Sequence, residues 1–103
     1  MKKTIKILLV EDDRNLGFIL KSFLTMKGFP TVLCLDGQEA LEHFENEAFD
    51  FVITDVALSG LDGFSLAEKI KRFDKEVPLV FLTSKSSKIL KSIEYLKSFP
   101  IKE

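Results

Sequence analysis

The chain has 103 residues, which is enough for one compact domain over residues 1–103 and too few for two. With 46% hydrophobic and 30% charged residues it can bury a core, so its composition is not that of a disordered protein. A formal charge of −1 argues against a nucleic-acid-binding surface. The apolar runs are far shorter than the roughly 18 residues that a membrane helix needs, and the single cysteine cannot form an internal disulfide, so we expect a cytoplasmic location and no membrane contact.

The first predicted elements are a strand, a helix and a second strand. The run from Ile5 to Val10 is short and almost wholly apolar, as is typical of a strand covered on both faces. Asp13 is the expected N-cap of the helix, and Gly28 marks its expected end. Thr31 to Leu35 is the second predicted strand. The residues that form the predicted apolar face of the helix are Leu16, Ile19, Leu20, Phe23 and Leu24.

The same alternation continues along the chain. Asp36 followed by Glu39 resembles a capping box and predicts the start of a second helix. A third strand is predicted over Phe51 to Thr54, and a fourth over Val77 to Leu82. The third helix, between these strands, has its predicted apolar face at Leu66, Ile70 and Phe73.

The order of these elements predicts the fold class. Strand and helix alternate as β-α-β-α-β-α-β, which indicates an α/β protein with parallel strands joined by right-handed crossovers. The helices would then cover both faces of a doubly wound sheet. In such sheets ligands bind beyond the carboxyl ends of the strands, so the residues at those ends are the candidate functional residues.

Acidic residues follow two of the predicted strands. Glu11 and Asp12 come directly after the first strand, and Asp55 ends the third. If these strands are neighbours, the three carboxylates converge, and their mutual repulsion is relieved by a hard divalent cation such as Mg²⁺. Asp55 could then act as a nucleophile and form an aspartyl phosphate. An acid after a strand is often only a helix cap, and we assign that role to Asp13.

Hydroxyl residues follow the fourth strand. Thr83 is placed to donate a hydrogen bond to a phosphoryl oxygen, whereas Ser84 is more typical of a helix cap. The combination of acids after strands one and three with hydroxyls after strand four is more specific than any of its members.

Four segments of the chain, ILLVEDDRNL, DGQEALEHF, FDFVITDVALSGLDGFSLAEKI and VPLVFLTS, resemble the receiver domain of two-component response regulators. The resemblance implies a flavodoxin-like parallel sheet, whose family order is 2-1-3-4-5. It implies that Asp55 takes a phosphoryl group from a sensor histidine kinase or phosphotransfer protein. It also implies that Glu11, Asp12, Asp55 and the backbone carbonyl of Ala57 hold Mg²⁺, and that Thr83 is the switch hydroxyl. Such a domain is not an enzyme beyond catalysing its own phosphoryl transfer.

The chain departs from the family pattern after the fourth strand. Only 20 residues follow Thr83, whereas the usual helix, strand and helix need roughly 30. We favour one terminal helix over residues 86–98, which leaves a four-stranded sheet of order 2-1-3-4. In the alternative, a short helix and a strand make Lys97 the lysine that pairs with the phosphoryl group. Ser59 also stands where the family has a proline.

These departures leave two functional hypotheses. The first is a phosphoacceptor receiver that signals to a downstream protein partner. The second is a pseudo-receiver, a docking or dimerisation module that is not phosphorylated. An apolar edge strand over residues 79–82 would invite pairing, so we expect a homodimer through this region. A nucleotide-binding enzyme is disfavoured, because the glycine-rich phosphate-binding motifs are missing.

Other side chains have structural interpretations. Cys34 is predicted to be a small buried hydrophobic residue, and His43 to be exposed and not a metal ligand, because no cysteine or aspartate lies at ligand spacing from it. The phenylalanines in apolar elements are predicted to belong to the core: Phe18, Phe23, Phe44, Phe51, Phe73 and Phe81.

Overall fold

A computed structural model of the protein describes residues 4–58 and 60–82. Every helix and strand predicted in this range is present, although β1 begins two residues later than predicted, at Ile7, and β4 two residues later, at Leu79. Among the described residues, no helix has the length and apolarity needed to cross a membrane. The elements are β1 (Ile7–Val10), α1 (Arg14–Met26), β2 (Thr31–Cys34), α2 (Gly37–Asn46), β3 (Phe51–Asp55), α3 (Gly63–Phe73) and β4 (Leu79–Leu82).

The four strands form one parallel sheet with the order β2-β1-β3-β4. This confirms the predicted α/β fold class and the predicted strand order. Val10 is paired in register with Thr54, and Asp55 is paired with Leu82. Because the strands are parallel and in this register, the residues that follow β1 and β3 emerge side by side at one edge of the sheet.

Alternate residues of the strands supply two hydrophobic clusters, one on each face of the sheet. Ile7 and Leu9 of β1 pack with residues of α1, whereas Leu8 and Val10 pack with residues of α2 and α3. Since side chains alternate across a strand, one short apolar strand serves both clusters. The sheet is therefore covered on both faces, as the doubly wound prediction requires.

Each of the three helices in the described part of the chain has an aspartate as its N-cap. The side chains of Asp13, Asp36 and Asp62 accept hydrogen bonds from the backbone N–H three residues later, at 3.1, 2.8 and 2.9 Å. These contacts satisfy donors that a helix start leaves unpaired. Gly28 follows the end of α1 with a φ of 95°, a conformation that glycine adopts without strain. The cap of α1 and its stop are as predicted.

Part of the predicted core is wrong. Phe44 and Phe51 are buried, but Phe18 is 65% and Phe73 57% exposed, and Ile19 is also largely exposed. Ile19 and Phe73 were predicted on the apolar faces of their helices, whereas Phe18 was assigned to the core only because it stands in an apolar element, and helical spacing turns it away from that face. A helix that rests on a flat sheet buries only a narrow stripe, however, so residues beside the stripe stay in contact with water.

Several predictions concern residues outside the described ranges. These are the terminal helix over residues 86–98, the roles of Thr83 and Lys97, and the effect of Ser59 on its loop. Within the described residues, β4 pairs only with β3 and forms one edge of the sheet. The homodimer through this strand stays a prediction.

Candidate functional site

Three carboxylates meet at the carboxyl edge of the sheet. Glu11, Asp12 and Asp55 each place one oxygen so that the three oxygens lie within 4.8 Å of one another. We call this group the acidic cluster. It forms because Glu11 and Asp12 follow β1 directly and Asp55 ends β3, the neighbouring strand. The convergence predicted from the sequence is therefore present.

Glu11 is fully buried and fixed at both its backbone and its side chain. Its backbone N–H donates to the carbonyl oxygen of Cys34 at 3.0 Å, which ties it to the end of β2. Its Oε2 accepts a hydrogen bond from the backbone N–H of Asp13 at 2.9 Å. These bonds hold a carboxylate in a buried position, where a hydrogen bond to its charged form stabilises it.

Asp55 is 5% exposed and lies at the start of a well-bonded loop. Its Oδ1 accepts a hydrogen bond from the backbone N–H of Ala57 at 3.2 Å. The next residue, Val56, donates its N–H to the carbonyl oxygen of Leu82 and accepts a bond from the N–H of Gly63, at 3.0 and 2.9 Å. The carboxylate is thus positioned by β4 on one side and by the start of α3 on the other.

Gly63 allows α3 to approach the backbone of Asp55. A Cβ atom added at Gly63 would lie 2.1 Å from the carbonyl oxygen of Asp55 and 2.8 Å from Cα of Val56. Both are backbone atoms, which cannot rotate away as the end of a side chain can. Glycine is therefore required here for close packing, which no local sequence pattern indicates.

The electrostatics of the acidic cluster favour a cation. Two like unit charges about 4 Å apart near a protein surface repel by about 4 kcal/mol. Three carboxylates this close together therefore destabilise one another when all are charged. A divalent cation converts that repulsion into attraction. The donors are all carboxylate oxygens, which suit Mg²⁺ with water completing its octahedral shell. The donor set therefore fits the cation that was predicted for it.

A second group of potential ligands was missed in the sequence. Cys34, Glu39 and His43 also place one ligand atom each within 4.8 Å of one another. The expectation that His43 has no cysteine within ligand range is wrong, because β2 folds back beside α2. Two signals pointed to this group: the four-residue spacing of Glu39 and His43, which puts both on one face of a helix, and the place of Cys34 at the end of a strand.

Comparison with known proteins shows a consistent family. Residues 7–97 match the family model described as "Response regulator receiver domain". The chain is 38% identical over 88 residues to the transcriptional regulatory protein RprY of Bacteroides fragilis, an alignment that covers 85% of this chain and 37% of RprY. The chain thus spans little more than a third of that relative's length.

Solved structures of receiver domains are similar in fold. The receiver domain of HemR from Leptospira biflexa has a TM-score of 0.75 and 35% identity, covering 93% of this chain and 74% of that one. The receiver domain of the sensor histidine kinase PA1611 from Pseudomonas aeruginosa has a TM-score of 0.75 and 29% identity, covering 82% and 71%. That structure has a magnesium ion coordinated in its active site cleft.

Proposed function

Because this chain belongs to the response-regulator receiver family, we propose that it accepts a phosphoryl group on Asp55 in a Mg²⁺-dependent reaction. Receiver domains interact with histidine kinases or phosphotransfer proteins and usually bind Mg²⁺ in an acidic site. The observation that carries the proposal for this chain is the acidic cluster, in which Asp55 sits beside Glu11 and Asp12 at the carboxyl edge of the sheet.

In the proposed reaction, a carboxylate oxygen of Asp55 attacks the phosphorus of a phosphohistidine on the donor protein. A P–O bond forms as the P–N bond breaks, and the electron pair of that bond returns to the imidazole, which takes up a proton from water. Asp55 is suited to this role because its position is fixed by the N–H of Ala57 and by the bonds that Val56 makes to β4 and α3. A fixed nucleophile needs little reorganisation to reach the reactive geometry.

Glu11, Asp12 and Asp55, with the backbone carbonyl of Ala57, would hold the Mg²⁺. The bound cation supplies positive charge that offsets the negative charge on the phosphoryl oxygens. Glu11 contributes through its buried, doubly anchored position, which keeps the charge of the cluster in place. Asp12 is half-buried and is the member of the cluster most open to solvent.

The remaining roles extend the proposal to residues 83–103. Thr83 directly follows Leu82, the register partner of Asp55, so its hydroxyl is proposed to bond the phosphoryl group and act as the switch. Lys97 is proposed as a surface lysine unless a strand brings it to the phosphoryl group. We propose a domain that catalyses no reaction beyond its own phosphorylation, works in the cytoplasm, signals to a downstream protein and dimerises through the region of β4.

The proposal is tested by incubating the protein with Mg²⁺ and a small phosphodonor and measuring its intact mass. We expect one phosphoryl adduct, lost in Asp55→Asn and lost when EDTA removes the cation. Asp13→Asn is the matched control: it makes the same chemical change two residues from Glu11, and asparagine caps α1 as well as aspartate does.

The outcomes separate the two hypotheses. An adduct in the parent protein and in Asp13→Asn, absent in Asp55→Asn, supports the phosphoacceptor. If no adduct forms and calorimetry detects no Mg²⁺ binding, the chain is a pseudo-receiver and the proposal fails. An adduct that persists in Asp55→Asn places the chemistry on another residue and also overturns it.

A further inference from the structure

We propose that Cys34, Glu39 and His43 form a second metal site, separate from the acidic cluster, which binds Zn²⁺. We call these residues the mixed-donor cluster. This site would bind a metal whether or not Asp55 is phosphorylated, so the inference does not rest on the function proposed above.

The geometry brings three ligand types together from two elements. Cys34 is the last residue of β2 and is fully buried, whereas Glu39 and His43 lie one turn apart on α2 and are half-buried. Their ligand atoms lie within 4.8 Å of one another. Tetrahedral zinc with bonds of 2.0 to 2.3 Å needs ligand atoms about 3.5 Å apart, so the three groups need to close by no more than about 1.3 Å. Glu39 accepts a hydrogen bond from the backbone N–H of Leu35 at 3.0 Å, and His43 is held by Glu47. Small adjustments of these two side chains supply that movement.

The donor set selects the metal. A thiolate, an imidazole and a carboxylate are the three ligand types of protein zinc sites, and three protein ligands leave the fourth tetrahedral position to water. Mg²⁺ prefers oxygen ligands in an octahedral arrangement and is disfavoured by sulfur. The two clusters of this chain therefore favour different ions.

His43 already has the supporting contact that metal-binding histidines commonly have. Its Nδ1 lies 2.6 Å from Oε2 of Glu47, one turn further along α2, and Oε1 of Glu47 lies 2.7 Å from Nζ of Lys6. A carboxylate bound to one ring nitrogen fixes the ring and its tautomer and makes the imidazole a stronger ligand. Glu47 is in turn held by Lys6, so the ring is oriented before any metal arrives.

The surroundings of Cys34 are negative. Burial, and then the charges of Glu39, Asp36 and Glu47, raise the pKa of the Cys34 thiol to about 12. Without a cation the thiol therefore keeps its proton. The same carboxylates attract a divalent ion, and as the sulfur–zinc bond forms the thiol proton passes to solvent.

The test uses the full 103-residue chain with its thiol reduced and with saturating Mg²⁺ to fill the acidic cluster. Co²⁺ is titrated as a spectroscopic probe, because a thiolate bound to Co²⁺ has a charge-transfer band in the near ultraviolet. We expect one equivalent of Co²⁺ to produce the band and Zn²⁺ to displace it.

Variants assign the ligands. Cys34→Ser should abolish the band, and His43→Gln and Glu39→Gln should each weaken Co²⁺ binding at least tenfold. Glu47→Gln should weaken Co²⁺ binding about tenfold, because Glu47 orients the His43 ring.

The matched control is Glu42→Gln, an exposed residue beside His43 on α2, which should leave the Co²⁺ affinity unchanged. Asp55→Asn should also leave the band unchanged, and this separates failure of this site from failure of the phosphoacceptor.

Two results would overturn the proposal. One is the absence of a thiolate band at saturating Co²⁺. The other is a band whose affinity is the same in His43→Gln as in the parent protein. His43 is 36% exposed in its side chain, so this variant keeps the fold, which circular dichroism checks, and the test stands even if Cys34→Ser is unstable.

Discussion

The acidic cluster and the mixed-donor cluster each bring three potential ligand atoms together, but they are built differently. In each, three ligand atoms lie within 4.8 Å of one another. The acidic cluster lies at the carboxyl ends of β1 and β3, the two central strands of the described sheet. All three of its donors are carboxylates. The mixed-donor cluster stands on the end of β2, an edge strand among those described, and on one face of α2.

The difference teaches how the fold controls the rigidity of a site. A central strand is hydrogen-bonded on both sides: the N–H of Glu11 donates to the carbonyl oxygen of Cys34 at the end of β2, and Asp55 is paired in register with Leu82 of β4. Glu39 and His43 are half-buried and are held through their side chains, by the N–H of Leu35 and by Glu47, and not by backbone bonds of a strand. We therefore expect the acidic cluster to be preorganised and the mixed-donor cluster to complete its geometry when a metal binds.

The largest expected effect comes from disturbing the acidic cluster through the backbone. Gly63→Ala would place a Cβ atom against the carbonyl oxygen of Asp55, and we expect it to lower the free energy of unfolding by about 3 kcal/mol. Urea denaturation measures the change. Gly60→Ala is the control: its Cβ meets no atom within 4 Å, and its φ of 76° should cost only about 1 kcal/mol. Equal losses in the two variants would contradict the packing argument.

A second substitution separates the ion preferences of the two clusters. Asp12→Asn removes one of three charges at the acidic cluster and should weaken Mg²⁺ binding about a hundredfold, measured by calorimetry. The Co²⁺ charge-transfer band should not change. Glu39→Gln should do the reverse, with normal Mg²⁺ affinity and weakened Co²⁺ binding. If either variant weakens both ions, the two clusters are not independent.

A smaller effect concerns the helix that carries half of the mixed-donor cluster. Asp36 caps α2 by accepting a bond from the N–H of Glu39 at 2.8 Å, so Asp36→Ala should lower the free energy of unfolding by about 1 kcal/mol. Asp36→Asn keeps the cap and should be close to the parent protein. Thermal denaturation of both variants checks the difference, and similar melting temperatures for the two would contradict a capping role.

The smallest effect is a pH dependence at Glu47. The hydrogen bond from Lys6, and after it the contact with His43, lowers the pKa of the Glu47 carboxyl below its ordinary value of 4.5. A depressed folded-state pKa contributes stability above the unfolded pKa, and this is lost as the pH falls through the folded one. The melting temperature of Glu47→Gln should therefore be lower than the parent's at neutral pH, with the gap closing in acid. If the difference in melting temperature between the parent protein and Glu47→Gln does not change with pH, the stabilisation does not come from the charge of Glu47.

The acidic cluster was predictable because its members follow strands of recognisable pattern. Once IKILLV and FVIT are identified as parallel neighbours, the residues after them must share an edge of the sheet. The mixed-donor cluster was not predictable in the same way. The nine-residue separation of Cys34 and His43 along the chain does not show whether the two side chains are close in space. That depends on how α2 packs beside β2. Likewise, helical periodicity placed Ile19 and Phe73 on an apolar face but could not say how wide a stripe the sheet covers.

Local sequence patterns are enough to predict the elements, their order and the caps Asp13 and Asp36, because these depend on interactions between residues a few positions apart. Hydrophobic periodicity and the three aspartate caps act locally, and they act before the chain has a tertiary structure. Only the tertiary structure decided the distances between groups on different elements: the 2.1 Å that makes Gly63 indispensable and the approach of Cys34 to His43. Those distances depend on how closely helices pack on the sheet, which is the combined result of many side-chain volumes and not of any local pattern.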